Sequence, residues 1–172
     1  MKDIVIQLIG FVGTVFILSA FQAKKRSSIL LIQLIGAICF MLHFFLLDAL
    51  SGSIMNGLVA VRSLVFYFRG KKKWADSVVW LPVFIILGVA AIVVTWNGWL
   101  SLLPLIGLIS TTFAQFSQKP MVVRLLTLPN CPCWLVYNSF AGSISGVITE
   151  ILIAISIIVG FLRHDVKKKA KE

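Results

Sequence analysis

Charge is scarce in this chain. Only 13% of its 172 residues are charged and just six are acidic, whereas a soluble domain carries about a quarter charged residues and is about half apolar. With 59% apolar residues and a mean hydropathy of +1.02, a soluble domain is excluded. Catalytic signatures are missing too. There is no His-Glu-x-x-His, no Gly-x-Ser-x-Gly, no Gly-rich phosphate loop and no pair of aspartates, which leaves an enzyme, or a bound cofactor, without support. Cysteine is limited to Cys39, Cys131 and Cys133, and the last two, separated by Pro132 alone, are poorly placed to bridge. What the chain does hold is sixteen basic residues and a net charge of +10. In so apolar a chain such residues fix membrane orientation, so no nucleic-acid partner is expected.

At about 20 apolar residues per crossing, the length allows about seven or eight crossings with short loops and no folded domain outside the bilayer. Apolar runs broken by charge or turn residues predict seven helices, near 3–22, 28–47, 50–68, 77–96, 99–117, 121–140 and 143–163. The first run is too long for the core of a signal peptide and more spans follow it at once, so it counts as structure. The sixth is interrupted by Pro129, Asn130, Cys131, Pro132 and Cys133, and proline removes a backbone donor.

Charge placement tests that sixth crossing. The basic clusters are Lys24 to Arg26, Arg69 with Lys71 to Lys73, Lys119 with Arg124, and Arg163 with Lys167 to Lys169 and Lys171. All four fall on one side if every span crosses, leaving only Lys2 on the other and Arg62 within a span. The positive-inside rule then puts the N-terminus outside and the C-terminus in the cytoplasm. Were the sixth run not to cross, the basic tail would face the wrong way.

A shift of 94 residues lays Cys39 on Cys133, Ser51-Gly52 on Ser145-Gly146 and Arg69 on Arg163, while Ile9-Gly10 meets Ile106-Gly107 after a three-residue gap. Helix ends and short turns coincide under the same shift. The expected all-α architecture is three helices (1–69), a linker helix (70–98), three helices again (99–163) and a basic tail (164–172). Both triplets run in the same direction, which makes them parallel repeats with the substrate site at their interface.

The segments Leu42-His43-Phe44-Phe45-Leu46-Leu47, Leu102-Leu103-Pro104-Leu105-Ile106-Gly107, Cys133-Trp134-Leu135-Val136-Tyr137-Asn138 and Ala141-Gly142-Ser143-Ile144-Ser145-Gly146, with Glu150 beyond, resemble the bacterial inner-membrane YgjV family. The resemblance covers most of the chain and implies a multi-pass protein of the bacterial inner membrane. Its three-one-three plan is similar to that of the SWEET, PQ-loop and PnuC-type transporters, which implies movement of sugars, amino acids or vitamin precursors. The proline-glutamine pair that names the PQ-loop group is absent, with Pro129-Asn130 a loose counterpart.

Helix rise places His43, Asn56, Trp134 and Glu150 about 6 to 11 Å below the outer ends of their helices, in one layer, with Tyr137 and Asn138 slightly above. The 94-residue shift overlays Asn56 on Glu150 and His43 on Tyr137, so both halves contribute to that layer. Glu150 is the one acidic residue well inside a span, and a carboxyl there faces a cavity or a partner; the plainer alternative is a protonated side chain bonded to a neighbouring helix. His43 is a candidate proton partner for it, or a packing residue. Arg62 lies about 18 Å from the outer end, to pair with Glu150, to snorkel inward, or to draw an anionic group of the substrate. Trp134 and Tyr137 offer ring faces to a flat ligand or pack as aromatics. Asn56 and Asn138 suit a hydroxylated ligand or tie helices together, and Gln7, Gln33 and Gln115 read as polar packing.

The expected function is alternating-access movement of a small polar metabolite such as a sugar, nucleoside or vitamin precursor, by a single chain or a homo-oligomer in the lipid bilayer. The candidate binding residues are His43, Asn56, Arg62, Trp134, Tyr137, Asn138 and Glu150. Two alternatives stand beside it: soft-metal, copper-type binding through Cys39, Cys131 and Cys133, and a membrane adaptor or sensor that transports nothing.

Overall fold

The computed structural model describes residues 2–20, 23, 25–117 and 120–161. The basic tail 164–172, with Lys24, Lys119 and Arg163, lies outside the described residues. Those described form helices and no strand. The helices are α1 (Lys2–Ala20), α2 (Arg26–Leu46), α3 (Leu50–Tyr67), α4 (Trp80–Val94), α5 (Leu102–Phe116), α6 (Pro120–Thr127), α7 (Asn130–Phe140) and α8 (Ile144–Phe161). Short 3₁₀ turns at Lys73–Asp76 and Trp99–Ser101 lead into α4 and α5.

Among the described residues seven helical spans are therefore present, the sixth in two pieces, which corrects the expectation of one helix over 121–140. The cause is Pro129, which caps α7 at φ −63°. Its ring has no N–H and collides with the carbonyl four residues back, so α6 stops at Thr127 and α7 begins at Asn130. The Ser110 hydroxyl donates to the carbonyl of Leu126 and ties the short α6 to α5.

Four helical segments, Asp3–Ala20, Arg26–Leu46, Leu50–Tyr67 and Trp99–Phe116, are long and apolar enough to cross a membrane, and Trp80–Val94 and Ile144–Val159 are shorter apolar helices. The side chains are distributed as in a bilayer protein. On α1, Ile4, Leu8, Val12 and Val15 are exposed, while Gly10, Gly13, Thr14 and Ala20 are buried. Large apolar groups point out, and small or hydroxylated ones meet neighbouring helices.

Neighbouring helices close a ring. α1 packs on α2, α2 on α3, α3 on α5, α5 on α6 and α7, α7 on α8, and α8 returns to α1; α4 lies against α3 and α5. Thr14 and Thr149 join α1 to α8 through hydroxyls 2.7 Å apart.

Two turns at one end of the ring share a pattern. Between α2 and α3, Asp48 takes a left-handed φ of 57°, and between α7 and α8 Gly142 takes 70°. The N–H of Ala49 donates to the carbonyl of Phe44 at 2.9 Å, as that of Ser143 does to Asn138 at 2.9 Å. This is the six-residue closure that a left-handed residue makes possible at a helix C-terminus.

Candidate functional site

The ring encloses a cavity of about 200 Å³ lined by side chains from α1, α2, α3, α5, α6, α7 and α8. Asn56, Arg62, Trp134, Asn138 and Glu150 all line it, so five of the seven candidate residues are brought together. His43 and Tyr137 are placed elsewhere. A wider cavity of about 510 Å³ lies where the α2–α3 turn, the α4–α5 connection and the end of α7 meet, and Tyr137 lines that one.

Arg62 is 2% exposed. Its Nη1 donates to the carbonyl of Leu108 at 3.1 Å, to Thr111 Oγ1 at 2.9 Å and to Thr112 Oγ1 at 2.7 Å, all on α5 and all neutral. Its Nε is buried without a partner. The expected alternatives of a pair with Glu150 or an inward snorkel give way to an anchorage on α5. The hydroxyls of Thr111 and Thr112 point at Arg62 because each also donates back to a carbonyl one turn earlier, Thr111 to Gly107 at 2.7 Å and Thr112 to Leu108 at 2.6 Å.

Glu150 is 9% exposed, and its Oε2 has no hydrogen-bond partner. On α7, Asn138 is 2% exposed with Oδ1 equally unpartnered. Asn138 fits because Gly146 faces it: a Cβ on Gly146 would lie 2.5 Å from the Asn138 side chain. Asn56 Nδ2 donates to the carbonyl of Gly52 in its own helix at 3.0 Å. Trp134 enters the cavity wall by the same device as Asn138, since a Cβ on Gly107 would stand 2.5 Å from its Nε1.

Three rings stand between the two cavities. Phe44 lies 5.7 Å from Trp134 and 5.8 Å from Tyr137, and Trp134 lies 5.6 Å from Tyr137, centroid to centroid. Phe44 and Trp134 line the smaller cavity and Tyr137 the larger. His43 is fully buried to one side. Its Nδ1 lies 2.8 Å from the carbonyl of Ile6 and its Nε2 2.8 Å from Ser143 Oγ, which leaves no ring nitrogen for Glu150.

Gln33 and Gln115, read from the sequence as polar packing, join through Gln115 Nε2 donating to Gln33 Oε1 at 3.1 Å and also line the cavity. Sequence reasoning passed over Thr111, Thr127, Thr149 and Asn130. The available signal was the polar run Ser110-Thr111-Thr112 inside an apolar helix. The metal alternative gains nothing, because no group of three His, Cys, Asp or Glu side chains is placed to hold an ion among the described residues. Cys39, Cys131 and Cys133 are free thiols; Cys39 packs against Gly13 and Cys131 lies beside Glu150.

Comparison with known proteins bears on where such a cavity works. A family described as a bacterial inner membrane protein, the YgjV family, matches residues 4–168. Inner membrane protein YgjV of Escherichia coli (strain K12) is 32% identical over 108 residues, which are 63% of this chain and 56% of that relative. The chain thus spans little more than half the length of the curated relative it matches. No solved structure matches it.

Proposed function

We propose, for a chain that belongs to the YgjV family of bacterial inner membrane proteins, that the ring-enclosed cavity is the substrate site of a transporter for a small polar metabolite, worked by alternating access. The observation that carries this reading is the set of buried polar atoms left unpartnered around one cavity: Arg62 Nε, Gln115 Oε1, Asn138 Oδ1 and Glu150 Oε2. Leaving such atoms unpaired in a protein interior is costly. A polar ligand that occupies the cavity in the working cycle relieves that cost. Enzyme activity is not part of the proposal.

The parallel-repeat reading draws its support from packing. Asp48 and Gly142, the left-handed residues of two matching turns, are 94 residues apart. The partners of the ring pair also correspond. Tyr137 reaches from the second triplet to Ala49 and Gly52, and His43 reaches from the first to Ser143, itself 94 residues beyond Ala49. Within the triplets, Gly13 makes room for Phe40 as Gly107 does for Trp134, at the same shift and without a gap. The third helix of each triplet meets the first helix of the other, α3 on α5 and α8 on α1, as a two-fold axis along the membrane normal requires.

In this reading Phe44, Trp134 and Tyr137 close the cavity toward the wider one, which faces the periplasm if the basic loop at Lys71 to Lys73 is cytoplasmic. The test is thermal unfolding of detergent-purified protein with sugars, nucleosides, amino acids, vitamin precursors and Cu(I). A ligand at 100 times its Kd adds about 2.7 kcal/mol to the folded state. Stabilisation by an organic ligand, lost in Trp134→Ala and Glu150→Gln, is expected. Stabilisation by Cu(I) alone, lost in Cys131→Ser, overturns the reading in favour of metal binding.

A further inference from the structure

The polar groups of the cavity are not a uniform hydroxyl-binding surface. They divide by charge and by hydrogen-bonding sense. On α3, Arg62 presents donors only, since a guanidinium has no acceptor and keeps its charge in a protein. Nη1 spends its bonds on three oxygens of α5, which fixes the plane of the group. The Nε–Nη2 edge is left without a protein acceptor among the described residues, and Nε is buried. That edge carries two parallel N–H bonds, the fork that fits a carboxylate.

The other unpartnered atoms around the cavity are acceptors. Asn138 Oδ1 on α7 and Glu150 Oε2 on α8 are both buried, both unpartnered, and both on residues that line the cavity, and Gln115 Oε1 on α5 is a third such acceptor. A neutral sugar or nucleoside fills these acceptors but leaves a fully buried cation without an anion, and an uncompensated buried charge is the costliest group in such a site. A ligand with only an anionic group satisfies Arg62 and leaves the acceptors bare.

We infer that the substrate is a small carboxylic acid carrying an amino or hydroxyl group, bound with its carboxylate on the Nε–Nη2 edge of Arg62 and its donor toward Asn138 and Glu150. This rests on the reading of the cavity as a substrate site and narrows it. Helix rise puts Arg62 about 9 Å deeper than Glu150, and the extended arginine side chain covers part of that distance. The remaining span sets the length of the acid. The Trp134 face and the Phe40 ring bound the space between the two ends.

The experiment uses the full chain in nanodiscs and in proteoliposomes. The probes are lactate, alanine, 3-hydroxybutyrate and 4-aminobutyrate, each beside its carboxamide, with glucose and uridine as neutral polar probes. Thermal stabilisation and counterflow exchange are the readouts. At least one acid is expected to bind at least tenfold more tightly than its amide, and Arg62→Gln to remove that preference while Arg62→Lys keeps part of it. Glu150→Gln is expected to weaken the amino acid more than the hydroxy acid of equal length. If Arg62→Gln does not fold, the acid-to-amide ratio in the unaltered protein decides alone. Equal binding of acid and amide overturns the inference. So does binding of glucose or uridine without any acid, an outcome that leaves the transporter reading standing. Neither stabilisation nor exchange with any probe overturns both.

Discussion

The backbone N–H of Gly52 donates to the phenol oxygen of Tyr137 at 2.8 Å, so the first turn of α3 is held by a side chain of α7 from the other half of the molecule. Gly52 permits this because a Cβ there would stand 2.6 Å from the Tyr137 ring. The bond ties two helices at the level where the aromatic rings separate the cavities. Removing the hydroxyl leaves a buried N–H without an acceptor. Tyr137→Phe is expected to destabilise the protein by about 1–3 kcal/mol, read as a lowered unfolding temperature with no change in helix content by circular dichroism.

The reciprocal tie is His43, with Ile6 on one ring nitrogen and Ser143 on the other. His43→Phe retains a ring and removes both bonds, while Ser143 Oγ still accepts from the N–H of Gly146, so a loss of about 1 kcal/mol is expected. If His43 instead relayed protons for transport, the substitution would change the pH dependence of uptake while leaving stability intact. Uptake against pH, measured beside thermal unfolding, separates the two.

The close approach of Gly107 to Trp134 gives a sharper test of the cavity wall. Gly107→Ala forces a Cβ to within 2.5 Å of the indole nitrogen, and the helix backbone of α5 leaves the indole to move. Ligand response is expected to fall more than tenfold. At Gly57 an added Cβ would meet only the flexible Met41 sulfur at 3.2 Å, so Gly57→Ala is expected to leave ligand response unchanged.

Asp48 and Gly142 hold the same backbone conformation with different residues. A left-handed residue with a Cβ costs about 1–2 kcal/mol relative to glycine. Gly142→Ala is therefore expected to lower stability by about that amount, and Asp48→Gly to be neutral or stabilising. Opposite signs, measured by unfolding in the same detergent, would bear out the equivalence of the two turns.

Orientation is open to labelling. In a chain with Cys39, Cys131 and Cys133 replaced by Ala, Asn97→Cys on the exposed α4–α5 connection is expected to react with a membrane-impermeant maleimide on intact cells. Lys72→Cys, exposed before α4, is expected to react only after the inner membrane is opened. The reverse pattern would invert the predicted topology.

How much of this was written in the chain follows from what each signal measures. Hydropathy reports crossings, and the spans of α1, α2, α3, α5 and α8 emerge close to the expected bounds. Depth follows from counting residues along a helix, so Asn56, Trp134 and Glu150 do share a cavity. Azimuth does not follow from counting. His43 shares their level yet points away, toward Ile6 and Ser143, because Gly10 on α1 leaves space for its ring. The anchorage of Arg62 was hidden for the same reason, since Thr111 and Thr112 become its acceptors only when α5 packs on α3. Gln33 and Gln115 looked like ordinary packing because their partner is each other, across two helices distant in sequence.

α2 and the α6–α7 pair also differ in stiffness. α2 runs unbroken for 21 residues, while the α6–α7 pair is a rod of 8 and a rod of 11 meeting at Leu128 and Pro129. Bending the first means breaking backbone hydrogen bonds, and rotating one rod of the second against the other does not. One wall of the cavity is thus a fixed beam and the facing wall a jointed arm. Any change in the width of the space between them falls to the arm, so the two faces of the ring do unequal mechanical work.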